Sequence, residues 1–206
     1  MGDFRHASRF FTGLVLASRP LMAGLRFRAS GLENLPGAGG FVVASNHVSN
    51  LDPWPLGIPL HPRQVHFMAK AELYGIPVVR TVLVRAQAFP VRRTARDSES
   101  FRTAVRYARE GGVIAVFPEG TRRNKGFRKR HAAKPHLGAA RIALAAGVPL
   151  VPAAIAGTDR LRRLGPVRVA YGRPLEFDGD GGPRREAARE ATALLMAEIA
   201  RLEAAL

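Results

Sequence analysis

His47 and Asp52 stand five residues apart in the segment Ser45-Asn46-His47-Val48-Ser49-Asn50-Leu51-Asp52. An imidazole held through one nitrogen by a carboxylate keeps its other nitrogen as a base. A base so placed speeds proton removal from an attacking hydroxyl by roughly 10²–10⁴. The spacing alone does not join the two groups: on a strand they face opposite sides, and on a helix they lie well around the cylinder. They meet only if the chain reverses between them. Ser49-Asn50 followed by Asp52-Pro53 has the composition of a turn running into a helix N-terminus. Pro53, Pro55, Gly57 and Pro59 then allow at most one helical turn before Pro59 ends it. The same residues also fit a plainer arrangement, with Asp52 as a helix N-cap and His47 as a polar strand-end residue.

A second group is Phe117-Pro118-Glu119-Gly120-Thr121-Arg122. A glycine lets backbone approach a ligand closely, an arginine offers a planar fork suited to phosphate, and Glu119 can accept hydrogen bonds from a polyol. An ordinary turn would also use Pro, Gly and Thr. The most basic stretch of the chain begins here, with Arg122, Arg123, Lys125, Arg128, Lys129, Arg130 and Lys134. It follows the apolar run Val113 to Phe117, and ligand sites in open α/β sheets gather at the carboxyl ends of strands. His6, His61, His66, His131 and His136 have no spacing with acidic residues that suggests a metal site. Trp54, the single tryptophan, reads as a core or interface anchor.

The elements that must position these residues alternate along the chain. Phe41–Ala44, Val65–Met68, Ala88–Val91, Val113–Phe117, Leu150–Ile155 and Val167–Tyr171 are short apolar strand candidates. Ser98–Arg109, His136–Ala146 and Arg184–Leu206 have helical periodicity, with Gly111-Gly112 and Gly147 where helices should stop. Residues 4–25 read as a helix whose apolar residues Phe10, Leu14, Ala17, Leu21 and Leu25 recur at helical spacing between Arg5, Arg9, Arg19 and Arg26. The expected fold class is α/β: a single domain with a mixed, mostly parallel sheet flanked by helices, preceded by an N-terminal amphipathic helix.

Thirty-two Lys and Arg against sixteen Asp and Glu leave a net charge of +16. That excess attracts polyanions, whether nucleic acid, anionic lipid or phosphorylated substrate. With no cysteine, disulfides, thiolate metal sites and a Cys nucleophile are excluded. No stretch has the roughly 20 apolar residues of a bilayer span. Arg5 and Arg9 before Val15-Leu16-Ala17 trace the outline of a signal peptide, but Arg19 follows at once. The apolar stripe of this helix fits either of two settings, a membrane interface, which the net charge favours, or its own domain.

Taken in order, these residues resemble the conserved blocks of the glycerophospholipid acyltransferase superfamily, most of all the bacterial 1-acylglycerol-3-phosphate acyltransferases. Asn46-His47-x₄-Asp52 is similar to the first block and Phe117–Arg122 to the third. Ala88-Phe89-Pro90-Val91-Arg92-Arg93 is similar to the second, and Val148-Pro149-Leu150-Val151-Pro152-Ala153 to the fourth, with Gly157-Thr158 following. The ordered set, spanning residues 41–155, is far more specific than any block alone. The second block departs from the pattern at Ala86-Gln87, where such enzymes often carry glycine or more apolar residues.

The resemblance implies that His47 and Asp52 are the catalytic pair, deprotonating the hydroxyl of a lysophospholipid that attacks an acyl thioester without an acyl-enzyme. The acceptor most in keeping with it is 1-acylglycerol-3-phosphate, giving phosphatidic acid. Arg92 and Arg122 would hold the acceptor phosphate, while Asn46, Pro118, Glu119, Gly120 and Thr121 shape the pocket. Backbone N–H groups near Gly120 would serve the oxyanion, and Lys134 would add to the anionic pocket. No cofactor or metal is implied, since the thioester of acyl-CoA or acyl carrier protein is already activated. Residues 1–25 would form the membrane-interface helix and 26–206 the acyltransferase domain. The implied location is peripheral or monotopic, on the cytoplasmic face of the cell membrane. A nucleic-acid-binding role is the reading from another class. It lacks zinc-finger spacing, an RNA-recognition signature and aromatic residues within the basic run. A lipid-binding relative without turnover would have no need of an oriented His–Asp pair.

Overall fold

Phe41-Val42-Val43-Ala44-Ser45 is apolar at positions facing both ways, the pattern of a parallel strand covered on both faces, and all five residues are buried. This strand is the centre of the sheet. The computed structural model describes residues 6–91, 98–120, 135–163, 165–175 and 185–206. Its strands are β1 (Arg28–Ser30), β2 (Phe41–Ser45), β3 (Val65–Lys70), β4 (Phe89–Val91), β5 (Val113–Val116), β6 (Leu150–Ala156) and β7 (Arg168–Tyr171). They lie in the order β1-β7-β6-β2-β5-β3-β4. Neighbours run parallel throughout, save that β6 and β7 are antiparallel. The helices are α1 (Arg9–Gly24), α2 (Pro53–Gly57), α3 (Pro77–Arg85), α4 (Ser98–Arg109), α5 (Gly138–Ala146) and α6 (Arg185–Ala204).

The two sheet faces carry separate cores. Phe41, Val43, Val113, Val151 and Tyr171 pack with Phe11 and Val15 of α1 and Leu56 of α2. On the other face Val42, Ala44 and Ile114 meet Ala104 and Ala108 of α4, Ala139 and Ile142 of α5, and Leu195 and Ile199 of α6. The α/β class and all six anticipated strands are present. Two elements were not anticipated. β1 is three residues with no apolar alternation. The valine-rich α3 has the composition of a strand, but Pro77 at its first turn favours a helix.

The N-terminal helix packs on the domain through one side and leaves most of the stripe read from the sequence exposed. Phe11, Val15, Ser18 and Met22 face the domain, one position along from the anticipated stripe and so about 100° around the axis. Leu14 and Leu21, with Leu16, are exposed. The helix is apolar over two adjacent faces, and periodicity alone cannot say which one meets the sheet.

Candidate active site

β2, β5 and β6 run parallel, with Ala44 opposite Val116 and Ser45 opposite Ala153. The segments after them therefore leave from one edge of the sheet. Asn46 is fixed there by two bonds to β6: its Nδ2 donates to the Ile155 carbonyl at 2.9 Å, and its Oδ1 accepts from the Ile155 N–H at 2.8 Å. The Ser45 hydroxyl also donates to Asn46 Oδ1, at 3.0 Å. This latch sets the direction in which His47 departs.

The chain then reverses, and the Asp52 N–H bonds the Ser49 carbonyl at 3.2 Å. His47 Nδ1 lies 2.7 Å from Asp52 Oδ2. The same oxygen accepts the backbone N–H groups of Val48 at 2.7 Å and Ser49 at 2.8 Å. Asp52 Oδ1 accepts the Thr158 hydroxyl at 2.5 Å. A carboxylate has no proton to give, so the hydrogen in the His47–Asp52 bond sits on Nδ1 and the Nε2 lone pair is left for a substrate. Asp52 is fully buried, while the His47 side chain keeps 17% of its exposure. That suits a rigid orienting group behind a reachable base.

Asp52 does occupy the position before α2, but its side chain makes no capping bond to that helix. The carboxylate turns back to the histidine instead. α2 passes directly into a 3₁₀ turn over Ile58–Leu60, so the helical path continues through Pro59, contrary to the expectation that this proline would end it. α2 is firmly held, since Leu56 is fully buried and its carbonyl accepts the Tyr171 hydroxyl at 2.7 Å. Burial pushes the Tyr171 phenol far above its usual range, so it remains a donor. The indole N–H of Trp54 in α2 is buried, with no partner among the described residues.

The third block arrives at the same place. The Phe117 ring stacks on His47 with centroids 4.3 Å apart and planes 20° from parallel. Pro118 and Glu119 are buried. The Gly120 N–H donates to the Phe117 carbonyl at 3.0 Å. Gly120 has φ of +65°, and a Cβ there would stand 2.6 Å from the His136 ring. The His136 N–H in turn bonds the Pro118 carbonyl at 2.7 Å. Arg92, Thr121, Arg122 and Lys134 lie outside the described residues.

Thr158, Phe117 and His136 are contacts that reasoning from spacing did not assign. Gly157-Thr158 already stood out as following the fourth block, yet only the fold shows what it does. Gly157 adopts φ of +89°, and a Cβ would meet the Pro166 carbonyl oxygen at 2.0 Å. Only glycine allows the turn that aims Thr158 at Asp52. Among the described residues no group of His, Asp and Glu is placed to hold a metal ion.

A histidine oriented by a buried carboxylate at the carboxyl edge of an α/β sheet has the make-up of an enzyme's general base, and the comparisons identify the kind of enzyme. Residues 26–156 match the acyltransferase family model, and the chain belongs to that family. It is an acyltransferase, and its particular likeness is to enzymes of phospholipid synthesis. It is 34% identical to the 1-acyl-sn-glycerol-3-phosphate acyltransferase of Bacillus subtilis over 83% of this chain and 85% of that protein. To the enzyme of the same name from Borreliella burgdorferi it is 32% identical, over 67% of this chain and 54% of that one. The crystal structure of the 1-acyl-sn-glycerophosphate acyltransferase of Thermotoga maritima superposes with a TM-score of 0.68 at 26% identity, covering 93% of this chain and 78% of that chain.

Proposed function

We propose that this enzyme transfers a fatty acyl group from acyl-CoA or acyl carrier protein to the free hydroxyl of 1-acylglycerol-3-phosphate, yielding phosphatidic acid. The observation that carries the reading is the His47–Asp52 pair, with Nδ1 engaged at 2.7 Å and Nε2 left as the base. Nε2 takes the proton of the acceptor hydroxyl as its oxygen attacks the thioester carbonyl. The tetrahedral intermediate then collapses, breaking the C–S bond. The imidazolium returns its proton to the departing thiolate, and the buried Asp52 stabilises the charged ring between the two transfers. His47 and Asp52 are thus the catalytic residues. Asn46, Pro118, Glu119, Gly120 and Thr121 shape the acceptor pocket, and Arg92 and Arg122 bind its phosphate.

A diacyl product is insoluble in water, so the reaction belongs at a bilayer, and the proposed donors place it on the cytoplasmic face. No helix among the described residues is long and apolar enough to cross a membrane. The exposed stripe of α1 and the net charge of +16 support attachment at the lipid surface. No cofactor enters the chemistry.

The test is His47→Ala, assayed with a panel of lyso-acceptors and both donors, with products identified by mass spectrometry. A folded variant is expected to lose transfer by about 10²-fold or more. Wild-type turnover in that variant would overturn the mechanism, and a preferred acceptor other than 1-acylglycerol-3-phosphate would overturn the substrate.

A further inference from the structure

None of the nine residues of α3 is buried, and Val78 is 76% exposed. Large apolar side chains at a surface are ordinarily scattered singly, and clustering marks a contact. Among the described residues, every exposed large apolar side chain except Leu32 and Leu194 lies in α1, in the His47–Asp52 loop at Leu51, or between Leu73 and Val84. Strand direction brings Leu51, Leu73, Ile76, Val78 and Leu21 of this set to one edge. β3 is parallel to β5, and β5 to β2, so Lys70, Leu73 and the start of α3 follow the edge from which His47 departs. β1 is parallel to β7, and β7 is antiparallel to β6, so the C-terminal end of α1, with Leu21, meets the sheet at that same edge.

We propose that this edge is itself a lipid-contacting rim: Leu51, Leu73, Ile76 and Val78, with Leu21 on the other flank, enter an anionic bilayer around the mouth of the site. The inference rests on the reading of lysophospholipid acylation at a membrane, and adds that attachment does not depend on α1 alone. Charge selects the occupant. α3 carries Arg80 and Arg85 and no acidic residue, against one Glu72 in the turn before it. A second copy of a chain of net charge +16 would be repelled, whereas anionic lipid headgroups are attracted. A rim seated in the headgroup layer lets an acceptor reach His47 from the bilayer without passing through water.

The chain has no cysteine, so Val78→Cys carries an environment-sensitive fluorophore at one defined place. With vesicles of phosphatidylcholine and phosphatidylglycerol the emission is expected to shift to the blue, and with the label on Leu194→Cys of α6 it is not. The double variant Ile76→Ser, Val78→Ser is expected to partition onto those vesicles about tenfold less well, while still acylating a short-chain, water-soluble acceptor at the wild-type rate. Equal emission from the two labelled positions, or unchanged partitioning of the double variant, would overturn the rim. So would a change in its sedimentation without lipid while vesicle binding is unchanged, which would indicate a second copy on this face. Partitioning needs no turnover, so loss of acyl transfer in the wild type would count against the substrate reading and leave the rim standing.

Discussion

Asp52 owes its usefulness to having no choice of position. Its two oxygens accept from His47, Val48, Ser49 and Thr158, so the carboxylate presents one fixed face to the imidazole. Thr158 touches only the second oxygen and acts through Asp52, as a positioning residue. Hydrogen bonds to a charged group contribute about 1.5–3 kcal/mol, and part of that bears on ring orientation. Thr158→Val is expected to lower kcat about tenfold, with KM little changed, and Thr158→Ser to restore most of it. Equal losses in the two variants would mean that Thr158 serves packing alone.

Among the connecting elements, the end of α3 carries a sign of strain. Gln87 adopts φ of +55°, the left-handed region that disfavours a side chain. This is the Ala86-Gln87 position noted in the sequence as departing from the second block, and the backbone there is one that glycine would suit. The contacts of Gln87 are made by its backbone: its N–H bonds the Val84 carbonyl at 3.0 Å, and its carbonyl faces His66 Nδ1 at 3.1 Å. Gln87→Gly keeps both and is expected to raise stability by about 1 kcal/mol, read as a higher urea midpoint. A lower midpoint would show that the side chain contributes more than the backbone conformation costs. α1 is likewise tied into the domain. Phe11 and Val15 lie in the domain core, so deleting the helix would damage the fold, and substitutions at its exposed Leu14 and Leu21 are the sounder probe of membrane attachment.

For the whole molecule, the interior histidine sets a limit on acid tolerance. His66 is fully buried in β3 against the Tyr107 ring, 4.6 Å away between centroids. Burial lowers its pKa from 6.5 to about 4, although the Gln87 carbonyl favours the proton. Above pH 6.5 the ring is neutral folded or unfolded, and it affects neither state preferentially. As pH falls below that value the unfolded chain takes up a proton that the folded chain refuses. Stability therefore declines between about pH 6.5 and 4, by about 3 kcal/mol from this residue. Urea midpoints measured across that interval should fall for the wild type and fall less steeply for His66→Asn. Parallel slopes would assign the acid sensitivity to other groups.

The amino-acid order was enough to place the strands and the ends of most helices, because apolar runs, helical spacing and glycine stops act within a few residues of the chain. It also determined that a turn at Ser49-Asn50 had to exist if His47 and Asp52 were to cooperate, and the ordered blocks made that cooperation the expected outcome. That the turn closes on the carboxylate instead of leaving Asp52 as a cap could be seen in the folded chain alone. The deciding contacts come from far along the chain: Asn46 latched to Ile155, Thr158 bonded to Asp52 across 106 residues, and Phe117 stacked on His47. The buried side of α1 and the bareness of α3 were settled in the same way. Periodicity records which residues share a face, but what that face meets depends on strand order and register, which are relations between distant segments.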